Sequence, residues 1–199
     1  MNDRTQALLE LTRTMDDATL MQLTNYAQFL LWQRDYSPTL ANHAAQAWHI
    51  SLIDQFKLAR ISASGDSNGM EVALGVAIAD GQPCSSIFAH PPLSGEAIIA
   101  YTQALPVDIK SPELCFSIAI RDGAEIASDN LVAFRVRVNG WRLWAQHTNL
   151  KRWQSFKVPL PIDPGSVVSI ELCTEAIAEH RFTWAAWGEP MIVGMKDKG

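Results

Sequence analysis

The residues of this 199-residue chain best suited to chemistry are its arginines and its seven tryptophans. Five of them fall within the stretch LVAFRVRVNGWRLW, residues 131–144, and four of these are the candidates: Arg135, Arg137, Arg142 and Trp144. An outward indole gives a flat apolar face on which a sugar ring can stack, and a guanidinium beside it supplies donors for hydroxyls or for an anion. His147 and Trp153, on the adjoining strand and loop, extend the same candidate ligand-binding set. Trp144 beside Arg135 also suits cation–π stacking. The competing reading covers this face with other structure, so that Trp144 is buried and the arginine stems line a seam.

Other chemistries leave weaker traces. Asp122, Asp129 and Asn130 lie near one another in a loop and carry the oxygen ligands that calcium prefers. The same residue types also build turns by bonding their own backbone. His43, His49, His90, His147 and His180 show no i,i+2 or i,i+4 pairing, and Cys84, Cys115 and Cys173 form no C-x-x-C, so no zinc site is indicated. His90-Pro91-Pro92 reads as a rigid strand exit. There is no G-x-S-x-G elbow, phosphate loop, dinucleotide fingerprint or H-E-x-x-H. The chain is therefore expected not to be an enzyme.

A hairpin must position the arginine set. Asn139-Gly140 between alternating runs predicts a type I′ turn, because both central residues need φ > 0. An unbroken ladder then pairs Val138 with Trp141, Val136 with Leu143 and Arg135 with Trp144. Phe134, Val136, Val138, Trp141 and Leu143 make the core face; Arg135, Arg137, Arg142 and Trp144 make the other.

Around the hairpin the texture is β from Trp48 onward. Strands are expected at 48–54, 56–63, 70–79, 85–89, 96–103, 113–121, 131–138, 141–147, 153–160, 166–174, 181–187 and 190–194. Turn signals such as Asp80-Gly81, Asp122-Gly123 and Asp163-Pro164-Gly165 separate many of them, and no helical crossovers intervene. That pattern predicts a mainly β protein, an antiparallel β-sandwich or jelly roll over 48–199. Residues 1–36 read instead as one or two α-helices, over 5–13 and 16–34, with Thr14 and Asp17 spaced as a capping box. Residues 37–47 read as a linker. The helical stripe over 5–34 either packs on the sandwich or self-associates.

Composition limits the partners. At 48% hydrophobic residues the chain buries a full core, and a net charge of −5 gives no overall footprint for nucleic acid. No apolar run approaches the length of a membrane span, and the first residues lack the pattern of a secretory signal. A cytoplasmic location is expected.

The order of segments resembles the galactose-binding-like β-sandwiches, including the sugar-binding modules attached to glycoside hydrolases. It is carried by Ile87-Phe88-Ala89-His90-Pro91-Pro92, Leu105-Pro106, the run from Phe116 to Ala124, Phe134 to Gly140, Trp153 to Leu160, and Trp184-Ala185-Ala186-Trp187-Gly188-Glu189-Pro190. The resemblance implies a non-catalytic module that binds a carbohydrate or glycoconjugate, with no cofactor beyond an optional structural calcium at Asp122 and Asp129. The alternative is an assembly protein whose N-terminal helices oligomerise or dock a partner while the sandwich serves as scaffold.

Overall fold

Residue 6, residues 12–16, residue 20 and residues 47–196 are described by a computed structural model. Two compact units divide the chain, Met1–His43 and Ala44–Gly199. The helices expected over 5–34 lie outside the described residues apart from those few positions, and so do Trp32 and the linker up to residue 46.

The second unit is an antiparallel β-sandwich of eleven strands. These are β1 (Ala47–Ser51), β2 (Arg60–Ala63), β3 (Glu71–Ala79), β4 (Gln82–His90), β5 (Glu96–Ala104), β6 (Ile109–Ile120), β7 (Val132–Val138), β8 (Trp141–Thr148), β9 (Gln154–Pro159), β10 (Val167–Ala176) and β11 (Ala185–Lys196). One sheet runs β3-β4-β11-β6-β9, with β1 also paired to β11; the other runs β2-β5-β10-β7-β8. Two expected strands, 181–187 and 190–194, are one strand, β11. It continues past Glu189 and Pro190 through a register shift between Gly188 and Met191. The expected strand at 56–63 instead opens with a 3-10 turn, Phe56–Leu58, before β2.

Alternation drives the two sheets together. Ile118 and Trp187 of the first sheet, and Phe134, Val136, Ile170 and Leu172 of the second, are buried in one apolar core. Phe116, Trp144, Phe156 and Trp187 form an aromatic cluster in it, with ring centroids 4.7–6.2 Å apart. Trp187 Nε1 and Tyr101 Oη lie in this interior with no hydrogen-bond acceptor among the described residues.

The hairpin corrects the expected register. Asn139 (φ 51°) and Gly140 (φ 82°) make the predicted turn, and Val138 pairs with Trp141. Arg137 then pairs with Arg142 but Val136 with Trp144, so Leu143 is the extra residue of a bulge. One added residue reverses every side chain beyond it. Trp144 therefore does not stand outward beside Arg135, which pairs with Ala145; it turns inward against Phe116 and Phe156.

The β3–β4 hairpin is pinned at its tip. Its two-residue turn, Asp80 (φ 53°) and Gly81 (φ 67°), gives both backbone N–H groups to the Asp122 carboxylate, at 3.1 and 3.0 Å. Asp122 N–H donates in turn to the Ile78 carbonyl, and Trp153 Nε1–H donates to the Gln82 carbonyl. Beside this contact Gly188 is obligatory: a Cβ there would stand 2.8 Å from both Cys84 Sγ and the Trp153 ring.

Candidate functional site

The outer face of the second sheet holds four of the residues singled out from sequence. Arg135 and Arg137 (β7) share it with Arg142 and His147 (β8), the last two exposed. The two β7 arginines are not free donors. Arg135 Nη1 is 2.7 Å from Glu96 Oε1 and 2.6 Å from Glu175 Oε2; Arg137 pairs with Glu96 and, at 3.5 Å, with Glu171. Register explains the meeting: Cys173 faces Arg135 and Glu171 faces Arg137, with β5 on the far side of β10. Three carboxylates against two guanidiniums leave no positive surplus for an acidic ligand. Cys173 lies in the same cluster, and burial pushes its thiol up to about 12, so it is an inert thiol.

Trp144 and Trp153 do not join that face. Trp144 is half-buried in the aromatic cluster, and Trp153 belongs with the first sheet beside Gly188. Of the expected metal pair, Asp129 is exposed and Asp122 accepts from a turn. Asp122 spends both oxygens on the Asp80-Gly81 turn, while the neighbouring Asn130 side chain bonds the Glu179 backbone. No group of three His, Cys, Asp or Glu side chains gathers for a metal among the described residues.

A cavity of about 330 Å³ gathers a different set: Glu71, Phe88, His90, Arg121, Trp184 and Ala185. Four separate segments build it: the start of β3, the end of β4, the residue after β6, and the junction of the preceding loop with β11. Arg121 lines it beside two of the rings. Its guanidinium carbon lies 3.9 Å above the Phe88 ring and 5.6 Å from the Trp184 ring, and Arg121 N–H donates to the Trp184 carbonyl. No ion pair or side-chain hydrogen bond holds that guanidinium among the described residues. A planar cation lying on one ring and near another has its orientation fixed while its N–H edges stay available.

His90 closes one side. Its Nδ1 is 3.0 Å from the Thr183 carbonyl, so in the neutral ring Nδ1 carries the proton and Nε2 is left an acceptor. Burial lowers its pKa below the usual histidine value, the Thr183 carbonyl opposes that, and nearby His180 adds to it. The two rings meet edge to face at 4.3 Å, and His180 Nε2 reaches the Gly69 carbonyl. The site thus pairs a cation, a carboxylate and a neutral imidazole with two aromatic rings.

From sequence, His90 reads as a rigid strand exit, and Trp184 stands out within the resemblance motif Trp184–Pro190. Trp184 is half-buried, packing on the core while its ring lines the cavity. The only local signal was the pair of rings at Phe88 and Trp184 inside apolar strands, and nothing in spacing links them to Arg121.

No protein-family model matches the chain, and no curated protein matches its sequence. Solved structures do match in fold. The family 51 carbohydrate-binding module (CBM51) from Clostridium perfringens GH95, in complex with methyl-galactose, superposes with a TM-score of 0.50 at 11% identity, covering 73% of this chain and 99% of that one. CBM51-2 with the INT domains of Clostridium perfringens ZmpB, in complex with GlcNAc, gives 0.52 at 13% identity over 74% of this chain and 32% of that one. The tandem CBM51 modules of a family 98 glycoside hydrolase from Streptococcus pneumoniae give 0.50 at 13% identity, over 75% and 47%. The chain spans less than half of the latter two. At these identities the likeness is one of fold: residues 47–196 form a β-sandwich that shares its fold with these modules.

Proposed function

We propose that this protein is a non-catalytic carbohydrate-binding domain whose ligand enters the Arg121 cavity. The single observation that carries the reading is Arg121, its guanidinium carbon 3.9 Å above the Phe88 ring and 5.6 Å from the Trp184 ring, lining the cavity with no anionic partner among the described residues. A pyranose presents C–H groups on one face and adjacent hydroxyls at its rim. Aromatic rings suit the first, and a guanidinium, a carboxylate and an imidazole acceptor suit the second. The cavity volume accommodates one or two sugar rings. The fold shared with modules solved in complex with methyl-galactose and with GlcNAc supports the same reading. Glutamates occupy Arg135 and Arg137, which supports the cavity over the β7–β8 face as the place for a ligand. A cytoplasmic location is part of the proposal, and cell fractionation checks it.

A glycan array probed with the full chain tests the reading, alongside Arg121→Ala and Arg142→Ala, both checked for native circular dichroism. Binding to a defined sugar class that Arg121→Ala loses and Arg142→Ala keeps is the expected result. A blank array with the native protein overturns it. Loss in Arg142→Ala alone returns the site to the β7–β8 face with His147.

A further inference from the structure

Sheet edges invite pairing with other chains, and proteins blunt them with charge, proline, bulges or shortness. Five strands have a free edge among the described residues, and four of them are short or protected in those ways; β1, paired only to β11, is five residues long. β9 carries Lys157 and Pro159. β8 carries Arg142 and the Leu143 bulge. β2 is four residues long and begins at Arg60. β3 has none of these devices. It is nine residues long, with no positive charge and no proline, and its register to β4 is unbroken from Glu71 to Ala79.

Its outward polar groups follow from parity. Ala79 and Gln82 close the two-residue turn, so the odd-numbered residues of β3 face β4, and Val72, Leu74, Val76 and Ile78 turn their N–H and C=O groups to the free edge. The Asp122 N–H bond to the Ile78 carbonyl confirms that parity. The side chains of Leu74, Val76 and Ile78 are 43%, 62% and 49% exposed, on one face of the strand.

The sequence of that edge is its own complement. Val72-Ala73-Leu74-Gly75-Val76-Ala77-Ile78 reads nearly the same in both directions about Gly75. We propose that β3 is a self-pairing edge, joining two copies antiparallel about a two-fold at Gly75 into one continuous sheet. In that register Leu74 faces Val76, Val72 faces Ile78 and Ala73 faces Ala77, each pair apolar. The strand's one charge, Glu71, falls beyond the Ile78 limit set by the Asp122 loop, so no like charges meet within the ladder. Gly75 falls at a non-hydrogen-bonded pair, where the two backbones come closest. The two Leu74–Val76 pairs exchange four backbone bonds, and the loop at Asp122 limits the ladder at Ile78. An interface of one short strand pair is at the small end of specific contacts, so the dimer is concentration-dependent.

Sedimentation velocity of the full chain across a concentration series tests this, with Val76→Lys as the variant and Val107→Lys as control. Val76 and Val107 are both well exposed, at 62% and 83%, so neither change disturbs the core. The expected result is a monomer–dimer equilibrium that Val76→Lys weakens by roughly tenfold or more, placing two like charges near the two-fold, and that Val107→Lys leaves alone. A monomer at every concentration overturns the proposal. So does a dimer that survives Val76→Lys with native circular dichroism.

Discussion

His90 carries a pH signature. Its folded pKa lies below the ordinary value of 6.5, mainly through burial. A base whose protonated form is disfavoured in the folded state leaves stability intact above 6.5 and loses it as pH falls from there toward the folded value. The expected outcome is that the stability difference between the native protein and His90→Gln is flat above pH 7 and shrinks on acidification below 6.5, measured by urea denaturation at stepped pH. Trp144 belongs to the same scale. Because it packs against Phe116 and Phe156, Trp144→Ala should destabilise the fold by about 3 kcal/mol, the lower end for a Trp truncation. Sugar binding should survive in the molecules that remain folded. The outward character of Arg135 and Arg137 was legible from alternation alone. Their three glutamate partners were not, since contacts across β5, β10 and β7 depend on registers that no local pattern sets.

Among the elements, the β3–β4 hairpin depends on side chains remote from it in sequence. Asp122→Ala should leave two turn N–H groups without their acceptor and destabilise by about 1–3 kcal/mol. Amide hydrogen exchange at Asp80 and Gly81 should quicken first. Added calcium is expected to leave the melting temperature unchanged, since the Asp122 oxygens are already engaged; a clear rise would restore the metal reading. Gly188→Ala should cost about 1–3 kcal/mol by overpacking against Cys84 and Trp153, measurable as a shift in the urea midpoint. The β7–β8 turn was readable because Asn-Gly has a strict backbone requirement. The bulge three residues later was not. An extra residue leaves the run of residue types looking like an unbroken strand, and only the pairing of Val136 with Trp144 exposes it.

For the whole molecule, the sandwich followed from its sequence because many short alternating strands with turn residues between them admit few other packings. The cavity did not follow. Glu71, Phe88, His90, Arg121 and Trp184 are spread over more than a hundred positions, and only strand order brings them to one place. If the cavity takes a sugar, saturating ligand should raise the melting temperature of the native protein and leave Arg121→Ala unmoved. Differential scanning fluorimetry against a monosaccharide panel reads that directly.

The fully buried Trp187 has its indole N–H in an environment without a hydrogen-bond acceptor among the described residues, 6.2 Å from Trp144. An indole in so apolar a setting emits at the blue end of the tryptophan range. Two indoles that close, held at 61° to one another, couple their electronic transitions into a paired band in far-ultraviolet circular dichroism. The core therefore contains its own optical reporter. Loss of the coupled band before the blue emission would mark loosening of β8 ahead of β11, and simultaneous loss would mark a sandwich that opens as one unit.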